Sequence, residues 1–167
     1  MLPAELEWQT RKKRIDCRLT ALGWNVAPYK PGQAYARHAV TEFPTDSGPA
    51  DYALTVGGQI LGIVEAKKIS IGPQNVLTQA ERYSRGVATS PFNFDGFRVP
   101  FLYSTNGEVI WFHDVRHPQS RSRRVAQFHK PSALAELMTH EFDAECQRLA
   151  ELPHDHPWLR PYQKDAN

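Results

Sequence analysis

The chain has 167 residues, of which 41% are hydrophobic, and this is enough apolar material for one ordinary globular core. Its formal net charge of +2 is too small to indicate nucleic-acid binding by itself, so any affinity for DNA must come from local clusters of charge. With no membrane-length apolar run, no signal peptide and no disulfide framework in Cys17 and Cys146, the composition predicts a single domain in the cytoplasm, neither secreted nor membrane-embedded.

The first predicted element is a helix from Glu5 to Leu22. Its apolar residues recur at spacings of three, four and seven, which indicates one buried stripe formed by Trp8, Ile15, Leu19 and Leu22. Four basic residues, Arg11 to Arg14, are interleaved with this stripe and either contact phosphates or form a solvated helix face. Glu5 and Glu7 are either additional acids near an active site or ordinary first-turn acids of a helix.

A β-hairpin is predicted in the centre of the chain. Ala50 to Val56 and Gln59 to Lys67 are rich in β-formers and flank Gly57-Gly58, a pair that supplies the positive φ angles of a tight turn. Pairing counted back from that turn sets Asp51 opposite Val64, on the face away from Glu65. A bulge near the hairpin end, a common device beside active sites, would bring the two acids to one face.

Asp51, Glu65 and Lys67 collect at the open end of this hairpin. Side chains two residues apart in a strand share a face, so Glu65 and Lys67 project together. Mg²⁺ takes hard oxygen ligands, usually one or two carboxylates plus substrate phosphate, and Asp51, Glu65 and the backbone carbonyl of Ala66 suit that role. Lys67 can orient or deprotonate an attacking water, or neutralise charge in the transition state. A solvated salt bridge at a strand end is the structural alternative.

The next predicted helix runs from Pro73 to Ala88, with a proline near its first turn and good helix formers after it. Gln79 and Tyr83 are four residues apart and therefore lie on one helix face. They either point toward the site and contact the DNA backbone or brace Lys67, or Tyr83 packs on the sheet with Gln79 at its rim. The aromatic-rich loop from Ser90 to Arg98 that follows favours core packing over stacking on unpaired bases.

A strand from Ala39 to Phe43 and a second hairpin complete the predicted sheet. The hairpin joins Phe101 to Thr105 and Glu108 to His113 through the strong turn signal Asn106-Gly107. Glu42, on the first of these strands, is either a further acid of the site or a carboxylate on an edge strand. Together the segments predict an α/β fold with a central mixed β-sheet of four or five strands flanked by helices.

The last third of the chain is basic and then helical. Arg121, Arg123, Arg124 and Lys130 form a basic stretch that either follows a phosphate backbone or lies in a surface loop. A helix is predicted from Ser132 to Leu152, and Pro153 to Pro157 ends it. The histidines occur without cysteine partners at metal-ligand spacing, which argues against a zinc site.

The segments TEFPTDSGPADYAL, VEAKK and QAERY together resemble the PD-(D/E)xK nuclease domain at the N-terminus of the R (restriction and translocation) subunit of type I restriction enzymes. The resemblance covers nearly the whole chain, including LGW and YSTNGEVIWFHD. It implies a restriction-endonuclease-like (PD-(D/E)xK) core in which Asp51 and Glu65 bind Mg²⁺, with Mn²⁺ as a substitute, and Lys67 is catalytic. Gln79 and Tyr83 match the Gln-x-x-x-Tyr motif that follows the catalytic strand in this family. An acid of the first helix, Glu5 or Glu7, would lie near the metal.

Near the end of the chain, LRPYQ resembles the segment that enters the first motor domain of superfamily 2 helicases and translocases. The chain reaches Asn167 before any Walker A loop, so the resemblance predicts a nuclease domain over residues 1–152 and a linker over 153–167 into a missing motor. It implies cleavage of double-stranded DNA after ATP-driven translocation, with methyltransferase and specificity subunits as partners. Target choice would come from the specificity subunit. ATP would bind only in the motor, and neither ATP nor S-adenosylmethionine would bind this chain.

Two alternatives from other functional classes stay open. One is a non-catalytic DNA-binding or docking module of a helicase, which would not need Asp51, Glu65 and Lys67 together. The other is a PD-(D/E)xK nuclease of DNA repair, or one that acts on modified DNA, without a motor downstream. Substitution of Lys67 separates the first from a nuclease.

Overall fold

The computed structural model describes residues 11–67, 77–151 and Arg160. Within them, a seven-stranded sheet contains β1 (Asn25–Pro28), β2 (Arg37–Phe43), β3 (Ala50–Val56), β4 (Gln59–Ala66), β5 (Phe101–Thr105), β6 (Ile110–Asp114) and β7 (Arg123–Val125). The strands lie side by side in the order in which they occur in the chain. The β1–β2 and β4–β5 pairs are parallel and the other four are antiparallel, so the sheet is mixed, as predicted.

The sheet is larger than the predicted four or five strands. The additional strands are β1 and β7, one at each edge. β1 has only four residues and ends in proline, and β7 has three residues within a basic stretch, so neither carries enough alternation to indicate a strand. Because β1 pairs with β2, Glu42 does not lie on an edge strand, and that interpretation of Glu42 is wrong.

The described helices begin with a π-helical turn (Arg11–Ile15), which continues into α1 (Asp16–Ala21). The others are α2 (Leu77–Arg85), α3 (Pro131–Thr139) and α4 (Phe142–Glu151). The first helix thus ends one residue before the predicted end. Residues 5–10 and 73–76, where two predicted helices begin, lie outside the described residues, as does most of the predicted linker at 153–167.

The single helix predicted from Ser132 to Leu152 is wrong, because the chain forms α3 and α4 with a break between them. At the end of α3, the N–H of His140 donates to the carbonyl of Leu137 in a tighter turn, which interrupts the helical hydrogen-bond ladder. The helical hydrogen bonds resume where the backbone N–H of Glu145 donates to the carbonyl of Glu141. The chain divides into two compact units, Met1–Glu136 and Leu137–Asn167, and the whole sheet belongs to the first.

Apolar side chains cover both faces of the sheet. On one face, Ala53 and Ile63 belong to a buried cluster that includes Leu77, Ala80 and Tyr83 of α2. On the opposite face, a row of large side chains crosses successive strands: Tyr52, Val64, Tyr103 and Phe112. The Tyr52 hydroxyl donates to Asp16 of α1 at 2.6 Å. Among the described helices, none is both long and apolar enough to cross a bilayer.

The β3–β4 hairpin contains the predicted bulge, which fixes the face on which Asp51 lies. The pairs next to the turn follow the simple count, but the register shifts beyond Thr55, so that Tyr52 pairs with Val64. The bulge lies close to the turn rather than beside the acids. The shifted register carries Asp51 to the position opposite Glu65, and directly opposite residues of an antiparallel pair share a face.

Candidate active site

Two carboxylates and an ammonium group lie at the end of the sheet where β4 ends. Asp51 is the second residue of β3, Glu65 is the next-to-last residue of β4, and Lys67 follows directly after the strand. Glu65 is only 2% exposed, and a buried carboxylate is unfavourable unless it is paired. The Lys67 Nζ donates to Glu65 Oε1 at 2.7 Å, so the predicted pairing of these two side chains on one face is confirmed.

The Asp51 carboxylate is held by hydrogen bonds to both of its oxygens. Its Oδ2 accepts the backbone N–H of Ala66 at 2.7 Å, which ties the start of β3 to the end of β4. Its Oδ1 accepts from Arg11 Nη1 at 2.5 Å. These two contacts fix the carboxylate on the sheet face of Glu65 and leave its side chain 13% exposed.

Arg11 joins Asp51 to a third carboxylate. The same Nη1 lies 2.6 Å from Glu42 Oε1, and Glu42 occupies the position on β2 that faces Asp51. Glu42 has a φ of 54°, which is uncommon for a residue with a side chain and marks a local distortion of the strand. Burial acts to lower the pKa of Arg11, but its hydrogen bonds to Asp51 and Glu42 outweigh burial and raise that pKa. The guanidinium is therefore a permanent cation.

Arg11 is predicted from the sequence only as part of a basic run, without a link to Asp51. The signal that could have found it is helical phase. Arg11 precedes Ile15 by four residues, and Leu19 follows four later, so Arg11 occupies the buried stripe. Ile15 and Leu19 are fully buried. A cation on such a stripe indicates a carboxylate partner elsewhere in the fold.

Gln79 and Tyr83 lie on α2, the helix that covers the sheet face on which Asp51 and Glu65 are located. The Gln79 Nε2 donates to the Tyr83 hydroxyl at 2.8 Å, which confirms the predicted side-by-side placement. Tyr83 is 9% exposed and belongs to the buried cluster under the helix. Contact of either side chain with DNA stays a prediction.

Part of the basic stretch forms β7, and the two arginines of this strand lie on opposite faces of the sheet. Arg124 pairs with Trp111, which pairs with Ser104, the partner of Glu65. Arg124 is therefore an exposed cation on the same face and at the same level as the acids. Arg123 pairs with Phe112 on the opposite face, and its guanidinium lies 5.6 Å from the Phe112 ring centroid.

The aromatic loop before β5 is partly packed against the core. Phe97 contacts the buried cluster, and the guanidinium of Arg85 lies 3.8 Å from its ring centroid. Phe92 and Phe94 stack on each other with centroids 5.9 Å apart. These contacts agree with core packing for Phe97.

The oxygen donors at this end of the sheet suit a hard divalent cation. Asp51 and Glu65 supply carboxylates from neighbouring strands, and the Ala66 carbonyl lies between Glu65 and Lys67 in the sequence. Among the described residues, no group of three or more His, Cys, Asp or Glu side chains forms a metal cluster. Mg²⁺ keeps several waters and takes few protein ligands, and a magnesium site at Asp51 and Glu65 stays a prediction. Glu5 and Glu7 lie outside the described residues.

Three comparisons relate the chain to known proteins. Residues 27–138 match the family model described as the second domain of the type I restriction enzyme EcoKI endonuclease subunit. The chain is 28% identical to the type I restriction enzyme EcoKI endonuclease subunit of Escherichia coli (strain K12), across 91% of this chain and 17% of that protein. A fragment described as a putative HsdR subunit of a type I restriction enzyme from Vibrio vulnificus YJ016 has a similar fold, with a TM-score of 0.54. The two sequences are 21% identical, and the matched region covers 81% of this chain and 26% of the Vibrio vulnificus chain.

Proposed function

The chain belongs to the type I restriction enzyme endonuclease subunit family as an N-terminal domain of the R subunit, and we propose that it is the metal-dependent nuclease domain of that subunit. Its sheet and helices would form a PD-(D/E)xK core. The observation that carries this proposal is the meeting of Asp51, Glu65 and Lys67 on one face at one end of the sheet. A solvated salt bridge at a strand end would not require Glu65 to be buried.

Each residue of the group has a role that follows from its position. Asp51, Glu65 and the Ala66 carbonyl would hold Mg²⁺, with Mn²⁺ as a substitute. The bound metal would act as a Lewis acid on the phosphodiester and its attacking water. Lys67 places an ammonium beside Glu65, where it can orient that water or neutralise charge on the phosphate. Gln79 and Tyr83 would support the site or contact the DNA backbone from α2.

The wider assembly is part of the same proposal. The chain spans 17% of the length of its curated relative, so a motor for ATP-driven translocation would lie elsewhere in the full subunit. Double-stranded DNA would be the substrate, and methyltransferase and specificity subunits would be the partners. The described cysteines, Cys17 and Cys146, are both free and exposed, which suits a reducing cytoplasm.

The test is cleavage of supercoiled plasmid by this chain at high concentration with Mg²⁺ or Mn²⁺. We expect nicking or linearisation that EDTA abolishes and that Lys67→Ala reduces by at least about a hundredfold. Lys30→Ala removes an exposed ammonium outside the site and should cut like the wild type. Equal cutting by Lys67→Ala and the wild type would contradict the proposal.

If the wild-type chain alone does not cut, the same substitution is tested in the full-length subunit with ATP and its partner subunits. We then expect Lys67→Ala to translocate on DNA without cleaving it. Normal cleavage by that variant would instead favour a docking module or a site elsewhere in the subunit.

A further inference from the structure

We propose that Arg11 is an exchangeable counter-ion of the site. In the metal-free protein it neutralises Asp51 and Glu42, and on metal binding its guanidinium moves from Asp51 to a non-bridging oxygen of the DNA phosphate. This inference rests on the proposed nuclease function, because it concerns the same metal and the same substrate.

The contacts of Arg11 place a cation where the metal-binding carboxylate would need one. Nη1 lies 2.5 Å from Asp51 Oδ1 and 2.6 Å from Glu42 Oε1, and the side chain is 24% exposed. The other Asp51 oxygen accepts the Ala66 amide, so Oδ1 is the oxygen that a metal and Arg11 would share. A divalent cation bound there would repel the guanidinium.

The two carboxylates hold Arg11 unequally, which makes exchange feasible. The Asp51 side chain is 13% exposed, whereas that of Glu42 is 53% exposed and its ion pair is open to water. Glu42 can therefore follow a small movement of Arg11 and keep it near the site. Among the described residues, the hydrogen bonds and ion pairs of Arg11 all use Nη1. Its Nε and Nη2 edge makes no such contact with the described residues and has the geometry for a bidentate contact with phosphate.

The charges of the group favour a phosphate ligand for the displaced guanidinium. Glu42, Asp51 and Glu65 carry three negative charges, and Arg11 and Lys67 carry two positive charges. The metal-free group is thus negative by one charge and attracts a cation. With a divalent metal bound and all five side chains in place, it becomes positive by one charge, which complements the single negative charge of a phosphodiester.

Calorimetric titration with Mn²⁺ tests the exchange without relying on activity. Removing a competing cation should tighten metal binding, so we expect Arg11→Gln to lower the Kd for Mn²⁺ by at least about fivefold. A variant that merely loosened the fold would bind Mn²⁺ more weakly. Arg14→Gln removes a charge three residues further along the same segment, 3.5 Å from Glu108, and is the matched control, with a Kd close to that of the wild type. Unchanged or weaker Mn²⁺ binding by Arg11→Gln would overturn the exchange.

Duplex DNA binding, measured by fluorescence anisotropy in Ca²⁺ and in EDTA, tests the second half of the proposal. Arg11→Gln should weaken DNA binding in Ca²⁺ by about tenfold, with little change in EDTA. It should also lower the slope of log affinity against log salt by about one, the value for one lost phosphate contact. An equal loss in both conditions would show a permanent DNA contact and overturn the exchange. Arg11→Lys keeps the positive charge but cannot make a bidentate contact with phosphate. It should therefore bind Mn²⁺ like the wild type and bind DNA weakly in Ca²⁺.

Asp51→Asn separates this inference from the proposed function. If it leaves Mn²⁺ binding unchanged, the metal site itself is wrong. If it abolishes Mn²⁺ binding while Arg11→Gln fails to tighten it, only the exchange is wrong. Circular dichroism melting of every variant establishes that each is folded.

Discussion

Tyr103 and His129 form a buried polar contact on the sheet face opposite the acids. The Tyr103 hydroxyl lies 2.6 Å from His129 Nδ1, and Tyr103 is fully buried. Burial raises the pKa of Tyr103, so its hydroxyl keeps its proton. Burial, and then the charge of Arg123, lowers the pKa of His129. The folded protein therefore favours the neutral form of His129.

The lowered pKa of His129 predicts a loss of stability in mild acid. In the unfolded chain the imidazole takes up a proton near its ordinary pKa of about 6.5, before the folded protein does. The stabilisation that neutral His129 contributes is therefore complete above that pH and is lost as pH falls toward the folded-state pKa. We expect calorimetric melting between pH 7 and pH 5 to cost the wild type about 3 °C more than His129→Gln, which corresponds to about 1 kcal/mol for a chain of this length.

An exposed histidine provides the control for this effect. His140→Gln makes the same substitution at a histidine whose side chain is 46% exposed, and it is the matched control. The same slope in the wild type and His129→Gln would show that other groups cause the acid instability.

At the scale of single residues, the sequence predicted where the candidate site lies but not how its charges are connected. Asp51, Glu65 and Lys67 could be grouped because the hairpin between them has a short and recognisable turn. The contact of Arg11 with Asp51 spans forty residues of sequence, and only the packing of the first helix against the sheet creates it. The pattern of the first helix places Arg11 on the buried stripe, but it does not identify Asp51 as the partner.

At the scale of elements, the bulge in the β3–β4 hairpin controls the geometry of the candidate site. Gly62 pairs with Leu54 directly after the register shift. A Cβ at Gly62 would lie 3.0 Å from Leu54 Cδ1 and 3.2 Å from Leu54 Cβ. Because Leu54 is fully buried, it has little room to move away. The glycine therefore permits close approach of the two strands at the bulge.

Gly62→Ala should lower the free energy of unfolding by about 1–3 kcal/mol, because it overpacks a filled core. Urea unfolding measures the loss. Leu54→Ala removes Cδ1 and Cγ, which would lie 3.0 and 3.3 Å from the new Cβ, and keeps only the Leu54 Cβ at 3.2 Å. Adding Gly62→Ala to that variant should therefore cost less than it costs alone, but still more than nothing. Additive losses would show that the strand contact is not the cause.

The elements that sequence predicted well share one property, which is a strong local signal. Both hairpins have Gly-containing turns between predicted strands, and both occur in the structure. β1 and β7 are short edge strands that become ordered by pairing with a longer neighbour, so their own residues indicate little. The break between α3 and α4 carries neither glycine nor proline, and propensity alone extended one helix across it.

At the scale of the whole molecule, the positions of the charges are more informative than the net charge of +2. One row of paired residues begins at the acids and ends at the cation Arg124 on the edge strand β7. Strands are about 4.8 Å apart, so the three intervals from Glu65 to Arg124 span about 14 Å. A DNA strand carries one charge per roughly 3.4 Å of axis, and Arg124 would meet a phosphate about four nucleotides from the cleaved bond.

If DNA follows the end of the sheet from the acids to Arg124, Arg124→Gln should weaken duplex binding for every sequence and lower the slope of log affinity against log salt by about one. Fluorescence anisotropy at several salt concentrations measures both quantities. Arg123→Gln is the matched control, because it removes the same charge one residue away from the opposite face, beside Phe112. A similar loss in both variants would show only a general effect of net charge. A loss confined to Arg124→Gln would show that the DNA passes Arg124 and not Arg123, which lies on the opposite face of the same edge strand.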